Sequence, residues 1–165
     1  IQGVLKILLT EWSGTDGSND QHAVSNRELH MGILPDAEQF QNGLVEQQRS
    51  PDGYFAPIGS NGFLRRGGVA ATFDQQPVEA CGMVSACHDA WRVTGDPRWT
   101  RYAQVAFQWF LGENSLHQPV HDVSTGGCRD GVHADRLNEN QGAESTISYL
   151  LALRDMRALA RPDLV

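Results

Sequence analysis

The chain has no apolar run long enough to cross a bilayer. Its longest, Val4 to Leu9, is interrupted by Lys6, whereas a membrane helix needs about 20 consecutive apolar residues. It also has no surplus of positive charge. Thirteen Lys and Arg stand against 20 Asp and Glu, for a formal net charge of −7. That excludes nucleic acid or an anionic membrane as the main partner, because both demand a basic surface. Arg65-Arg66 is the only adjacent basic pair. Paired cysteine is missing too. Cys81, Cys87 and Cys128 are odd in number, and the first two fall within one helical pattern. They make no disulfide framework, and a reducing, cytoplasmic setting is expected. Neither Gly-x-x-x-x-Gly-Lys nor a strand followed by Gly-x-Gly-x-x-Gly occurs, so no nucleotide cofactor is expected. No segment alternates apolar and polar residues over any length, which argues against a sheet. Ile1 begins inside an apolar pattern with no charged region before it, so the chain reads as part of a longer protein rather than one led by a signal peptide.

What is present suits one globular domain spanning 1–165. There are 165 residues and 18.2 kDa, 40% of them hydrophobic and 20% charged, enough to bury a core. Val4, Leu5, Leu8, Leu9 and Trp12 fall at helical spacing, followed by a Ser/Gly/Asp-rich loop over Ser13–Asp20. Asp36 is placed to cap a helix with Phe40, Leu44 and Val45 on its apolar side. Ser50-Pro51-Asp52-Gly53 then ends it in a turn. Tyr54 to Thr72 is a long Gly-rich loop with Tyr54, Phe55 and Phe63 as the aromatics best placed to stack on a ligand. The strongest helix is predicted over Asp74–Trp91, with Pro77 in its first turn and a stripe of Ala80, Cys81, Val84, Cys87, His88 and Trp91. Thr94-Gly95 stops it. Asp96-Pro97 opens the next, carrying Trp99, Tyr102, Ala103, Ala106, Phe107 and Phe110, and Gly112 closes it. A last helix runs from about Gln141 to Ala160, with Ile147, Leu150, Leu151 and Leu153 as its apolar pattern. The fold class is therefore all-α: antiparallel helical hairpins with short loops at one end and long, polar, Gly-rich loops at the other. The two long loops, Gly53–Thr72 and Leu116–Asn140, both precede helices and so belong at the same end, the arrangement by which helical toroids and solenoids build a site on one face.

Two polar clusters stand at those helix entries. The first is Asp74-Gln75-Gln76-Pro77-Val78-Glu79. Plain capping accounts for Asp74 and a first-turn Glu79, but not for two consecutive glutamines. The second runs through Cys128-Arg129-Asp130-Gly131 to Asn138-Glu139-Asn140-Gln141-Gly142-Ala143-Glu144-Ser145. An Arg129–Asp130 ion pair and a capped helix would account for a few of these residues, whereas a network facing a sugar-like ligand would use most of them. Amides and the positive end of a helix dipole presented together suit a polar ligand. Glycoside cleavage needs two carboxyl groups flanking the bond, roughly 5–5.5 Å apart for retention or about 6.5–9.5 Å for inversion. Asp74, Glu79, Asp130, Glu139 and Glu144 supply the candidates. An acid at Glu139 or Glu144 would work opposite Asp74 or Glu79.

His117, His121, Cys128 and His133 lie close in sequence but match no compact zinc spacing. Loop histidines beside a binding site are the preferred reading, and no metal is expected. Cys81 and Cys87 read as small core residues, and a nucleophilic role for Cys128 has no support in its neighbours. Trp91, Trp99, Trp109, Phe107 and Phe110 sit at helical spacing and read as core.

Several motifs recur in a familiar order: Phe73-Asp74-Gln75-Gln76-Pro77-Val78-Glu79-Ala80, Thr94-Gly95-Asp96-Pro97-Arg98-Trp99, Phe107-Gln108-Trp109-Phe110-Leu111-Gly112-Glu113-Asn114, Thr125-Gly126-Gly127-Cys128-Arg129-Asp130-Gly131, and Asn138-Glu139-Asn140-Gln141-Gly142-Ala143-Glu144-Ser145-Thr146. Over roughly Phe40 to Leu159 the series resembles the all-helical C-terminal region that follows the transferase portion of some bacterial group 1 glycosyltransferase-like proteins. The chain departs from that pattern by lacking the transferase portion, and it matches only loosely before Phe40. The resemblance implies part of an (α/α) toroid acting on or binding carbohydrate. It would turn Asp74, Gln75, Gln76, Glu79, Arg129, Asp130, Asn138, Glu139, Asn140, Gln141 and Glu144 toward the sugar.

A six-hairpin toroid needs about twelve helices, and this chain holds roughly six at ~11–12 residues each plus long loops. The expectation is a half-toroid completed by the rest of a parent protein or by a homodimer, since an exposed inner face would drive pairing. The rival from another class is a non-catalytic structural or protein-interaction module whose polar loops only cap helices.

Overall fold

The computed structural model describes residue 39 and residues 41–161. By its contacts the chain forms two compact units, Ile1–Glu46 and Gln47–Val165. In the first unit, residues 39 and 41–46 are helical. The expected helix at Val4–Trp12, the loop Ser13–Asp20 and the cap at Asp36 lie outside the described residues. The second unit carries both polar clusters, in three helices: α1 (Pro77–Thr94), α2 (Pro97–Leu111) and α3 (Ala143–Ala160). Between α2 and α3 lies a minimal antiparallel hairpin, β1 (Gly131–Val132) and β2 (Leu137–Asn138). Among the described residues the regular structure is mostly helical, as the periodicity predicts. Among the described residues no helix is long and apolar enough to cross a membrane.

The punctuation residues set the helix ends. α1 stops where Gly95 takes a left-handed conformation, φ 68°, and returns its N–H to Trp91 O at 2.7 Å. Asp96 then caps α2 by accepting from Arg98 N at 2.8 Å, with Pro97 in the first turn. The predicted start of α1 at Asp74 is corrected to Pro77. The residue before a proline is pushed out of the helical region, and Gln76 is accordingly extended at φ −125°, ψ 145°. Asp74 is therefore no helix cap. Residues 74–76 instead run as a strand edge, and Gln75 pairs antiparallel with Val132.

α1 packs against both α2 and α3. Gly95-Asp96 is a tight link, and the far end of α2 returns to the start of α1, where Trp109 Nε1 donates to Gln75 Oε1 at 2.9 Å. α2 is thus antiparallel to α1. α3 runs parallel to α1: their first turns share one cleft, and further along Ser85 Oγ donates to Asp155 Oδ2 at 2.6 Å. Both long connections therefore deliver their ends to the same end of this unit.

The core between α1 and α2 is aromatic and apolar: Trp99, Trp109, Phe110, Ala103, Ala106, Val84 and Cys87 are all buried. The α1–α3 seam is different. α3 buries Ser145, Ser148, Tyr149, Ala152, Asp155 and Leu159, while Ile147 and Leu150 are 54% and 51% exposed. The apolar pattern read from the sequence therefore lies largely outward, because small residues let α3 approach α1 closely.

The loop after the Ser50–Gly53 turn is ordered by its own backbone. Gly59 N–H bonds Ala71 O at 2.7 Å, and Ser60 N–H bonds Asp74 O at 2.9 Å. A side chain at Gly59 would sit 2.1 Å from Phe73 O, so the close approach of these strands requires glycine. Phe55 is buried at 4% exposure and is corrected from stacking platform to core, whereas Phe63 remains 64% exposed. Tyr54 sits edge-on to His117, their ring centroids 6.3 Å apart.

Candidate functional site

Three backbone segments, each a few residues long, lay the floor. Gln75 pairs with Val132, which pairs with Leu137. Because successive side chains alternate across a strand, this row faces the core, with exposures of 1%, 0% and 7%. Gln75 is fully committed there: Oε1 accepts from Trp109 and Nε2 donates to Thr72 O at 3.1 Å. The next row, Gln76, Gly131 and Asn138, falls on the opposite face, and Gln76 and Asn138 both line an open cleft of about 330 Å³. Gly131 brings no side chain to this row, and a Cβ there would lie 2.4 Å from Gln75 O.

The remaining walls come from the two helix entries. Pro77 and Val78 open α1, and Gly142, Ala143, Glu144 and Ser145 open α3, with Asp130 between them. Neither helix has a side-chain cap of its own. α3 is closed instead by Asp130, whose Oδ1 accepts from Gly142 N at 2.8 Å and Ser145 Oγ at 2.6 Å. Its Oδ2 takes the Asn140 side-chain amide. Burial works to raise the Asp130 carboxyl, but the donors from Ser145, Asn140 and Gly142 outweigh it and hold it below the ordinary carboxylate value. A side chain at Gly142 would press on Asp130 Oδ1 at 2.9 Å. The Arg129–Asp130 ion pair offered as the alternative to a ligand-facing network does not form; the two side chains belong to different networks. Glu144 lines the same cleft and is exposed, with no hydrogen bond or ion pair among the described residues.

The other predicted residues build the loop that supports this cleft. Arg129 Nε donates to Glu139 Oε2 at 2.7 Å, and its second arm lies 3.6 Å from Asp122 Oδ2. The bond to Glu139 leads the causes that raise the guanidinium further. Gln141 spans Asp122 Oδ2 at 3.0 Å and Thr125 Oγ1 at 2.7 Å, lying over Gly127, where a Cβ would strike it. Asp122 is held at about 2, first by the Ser124 hydroxyl and then by Ser124 N–H. These polar groups bond one another across the connection, and none of Arg129, Glu139 or Gln141 lines the cleft. Glu79 is half-buried in the first turn of α1, and burial pushes its carboxyl up. Asp74 is not among the residues lining the cleft, and its Oδ1 lies 2.6 Å from His133 Nδ1.

So the structure brings Gln76, Asp130, Asn138 and Glu144 to one cleft, with Asn140 behind Asp130. It diverts Gln75 to the core, and Arg129, Glu139 and Gln141 to loop bracing. The histidine and cysteine positions are spent separately. His121 stacks on Tyr149 at 4.0 Å between centroids, Cys128 is buried with its thiol pushed up to about 12 by burial, and His133 meets Asp74. None of the three cysteines forms a disulfide, and all three are buried. Asp122 and Thr125 went unread as partners because nothing local marks a bond made over 16 or more residues. No family model matches the chain, and no curated protein matches it either.

Two of these environments make stability fall with acid. Burial lowers the His121 imidazole below its ordinary 6.5. As pH drops through 6.5 the unfolded chain takes up that proton first, and stability present above this point is lost toward the folded value. Asp122 is held near 2 against an ordinary 3.8, so its contribution persists above about 3.8 and fades as pH falls toward 2. Denaturant midpoints measured against pH should therefore decline in two stages. His121→Phe should remove the upper stage and leave the lower. An unchanged upper stage in that variant would refute the assignment.

Proposed function

We propose that this chain is the carbohydrate-handling part of an (α/α) toroid associated with glycosyl transfer, with the sugar held in the cleft between the first turns of α1 and α3. The observation that carries this reading is the convergence of two segments far apart in sequence, 76–78 and 130–145, on one open, polar cleft. The cleft offers an exposed glutamine amide, the Asn138 amide, a lone carboxylate at Glu144 and helix first-turn N–H groups. Neutral donors and acceptors beside carboxylates are the complement of a polyhydroxylated ring.

If the site is catalytic, its two carboxylates have different duties. Asp130 accepts three hydrogen bonds and stays ionised, which suits it to orient groups and stabilise positive charge. Glu144, whose side chain has no partner among the described residues, is the group left to carry a proton to or from the ligand. The motif resemblance supports a link to transferase-associated proteins, and three cysteines without a disulfide suit a reducing cytoplasm.

Thermal unfolding against a panel of monosaccharides and oligosaccharides tests the reading. A sugar at 100 times its dissociation constant should add about 2.7 kcal/mol to the folded state. Glu144→Gln and Asn138→Ala should each remove most of that shift while unfolding normally without ligand. A second reading, a protein-interaction module, draws on the outward Ile147 and Leu150 of α3, a face that a second copy or the rest of a toroid would cover. Failure of every sugar to shift the wild type would favour it.

A further inference from the structure

Resting on the carbohydrate reading of the cleft, we propose that His133 is the cleft's base: it presents an unprotonated Nε2 that accepts a hydrogen bond from a ligand hydroxyl, with Asp74 as the residue that positions it. The pairing geometry is the first support. The row Gln75, Val132, Leu137 faces the core, so the rows on either side share the opposite face. One of them, Gln76–Gly131–Asn138, lines the cleft. The other carries Asp74, His133 and Arg136, and His133 N–H bonds Arg136 O at 2.9 Å. Asp74 and His133 therefore lie one pleat, about 7 Å, from the cleft residues along the same surface.

The chemistry of the contact is the second support. A carboxylate can only accept, so at 2.6 Å from Asp74 Oδ1 the imidazole Nδ1 carries the hydrogen. In the neutral ring that leaves Nε2 as a bare acceptor. The tautomer is the one that free histidine does not favour, and it is imposed by a residue 59 positions away. Asp74 is anchored in turn, since its carbonyl accepts from both Ser60 N and Ser60 Oγ. The side chains of His133 and Asp74 are 27% and 42% exposed. The pair is thus ordered and accessible to solvent, beside the cleft rather than beneath it. A hydroxyl reaching this surface meets the amides of Gln76 and Asn138 as well as a fixed acceptor.

Nitrogen-resolved spectra of the uniformly nitrogen-labelled protein, recorded at mildly alkaline pH, provide the test. His133 should show a protonated Nδ1 and a bare Nε2, and Asp74→Ala should shift the ring toward the Nε2–H tautomer. Glucose, mannose, galactose and N-acetylglucosamine are then added in turn. A sugar that moves the backbone amides of Glu144 and Ser145 should also move His133 Nε2, and Asp74→Ala should weaken that sugar roughly tenfold without unfolding the protein. A sugar that moves Glu144 and Ser145 but leaves Nε2 unmoved overturns this proposal and spares the cleft. An Nε2–H tautomer in the free protein overturns it outright. No response from either group removes both the proposal and the carbohydrate reading.

Discussion

Replacing Asp130 with alanine is expected to destabilise the second unit by about 3 kcal/mol. Among the described residues the carboxylate is the one side chain that closes the entry of α3 through Gly142 N, and loss of such a cap costs about 0.5–2 kcal/mol. It is also the acceptor for the Ser145 hydroxyl, which is buried at 7% exposure. A buried hydroxyl stripped of its partner costs about 1–3 kcal/mol. Asp130→Asn keeps one carbonyl oxygen but turns an amide toward other donors, so it should lose roughly half as much. Denaturant unfolding followed by circular dichroism reads both. A wild-type midpoint in Asp130→Ala would show that the first turn of α3 does not depend on this residue.

Asp155→Ala is the second large effect, expected at about 2–3 kcal/mol. Asp155 is 2% exposed in the α1–α3 seam, accepting from Ser85 Oγ at 2.6 Å and from Arg154 at 2.7 and 2.9 Å. The Arg154 side chain is 68% exposed and returns to water at little cost. The Ser85 hydroxyl and the space left in the seam bear the loss. Removing both polar partners and refilling the space should recover most of it, because an apolar pair strands no group. Asp155→Leu with Ser85→Ala should therefore unfold later than Asp155→Ala alone. If the double variant is no better, the bond is not what holds the seam.

Local signals read well where the physics is local. Pro77, Gly95, Asp96, Pro97 and Gly112 mark helix ends because proline and left-handed glycine act on their own backbone and its nearest hydrogen bonds. The convergence of the two polar clusters also follows from the sequence, since a tight link at Gly95-Asp96 and long loops elsewhere force both to one end. What escaped were pairings between distant residues. Gln75 looks like its neighbour Gln76 until Val132 turns one inward and the other out. The sheet itself left no alternating signature because each of its strands is two residues long. α3 misleads in another way. Leucine and isoleucine periodicity marks the side richest in carbon, while Ser145, Ser148, Ala152 and Asp155 are buried because their size and bonding fit α1.

The parallel course of α1 and α3 has an electrical consequence. Two helices pointing the same way add their macrodipoles, putting about half a positive charge from each at the cleft and the matching negative charge at the far end. The side chains are sorted against that field: Glu79, Asp130 and Glu144 sit by the first turns, Arg92 and Arg157 in the last turns. At both poles the ions are opposite in sign to the dipoles of α1 and α3, a favourable arrangement for each helix, and beyond a Debye length salt screens what remains.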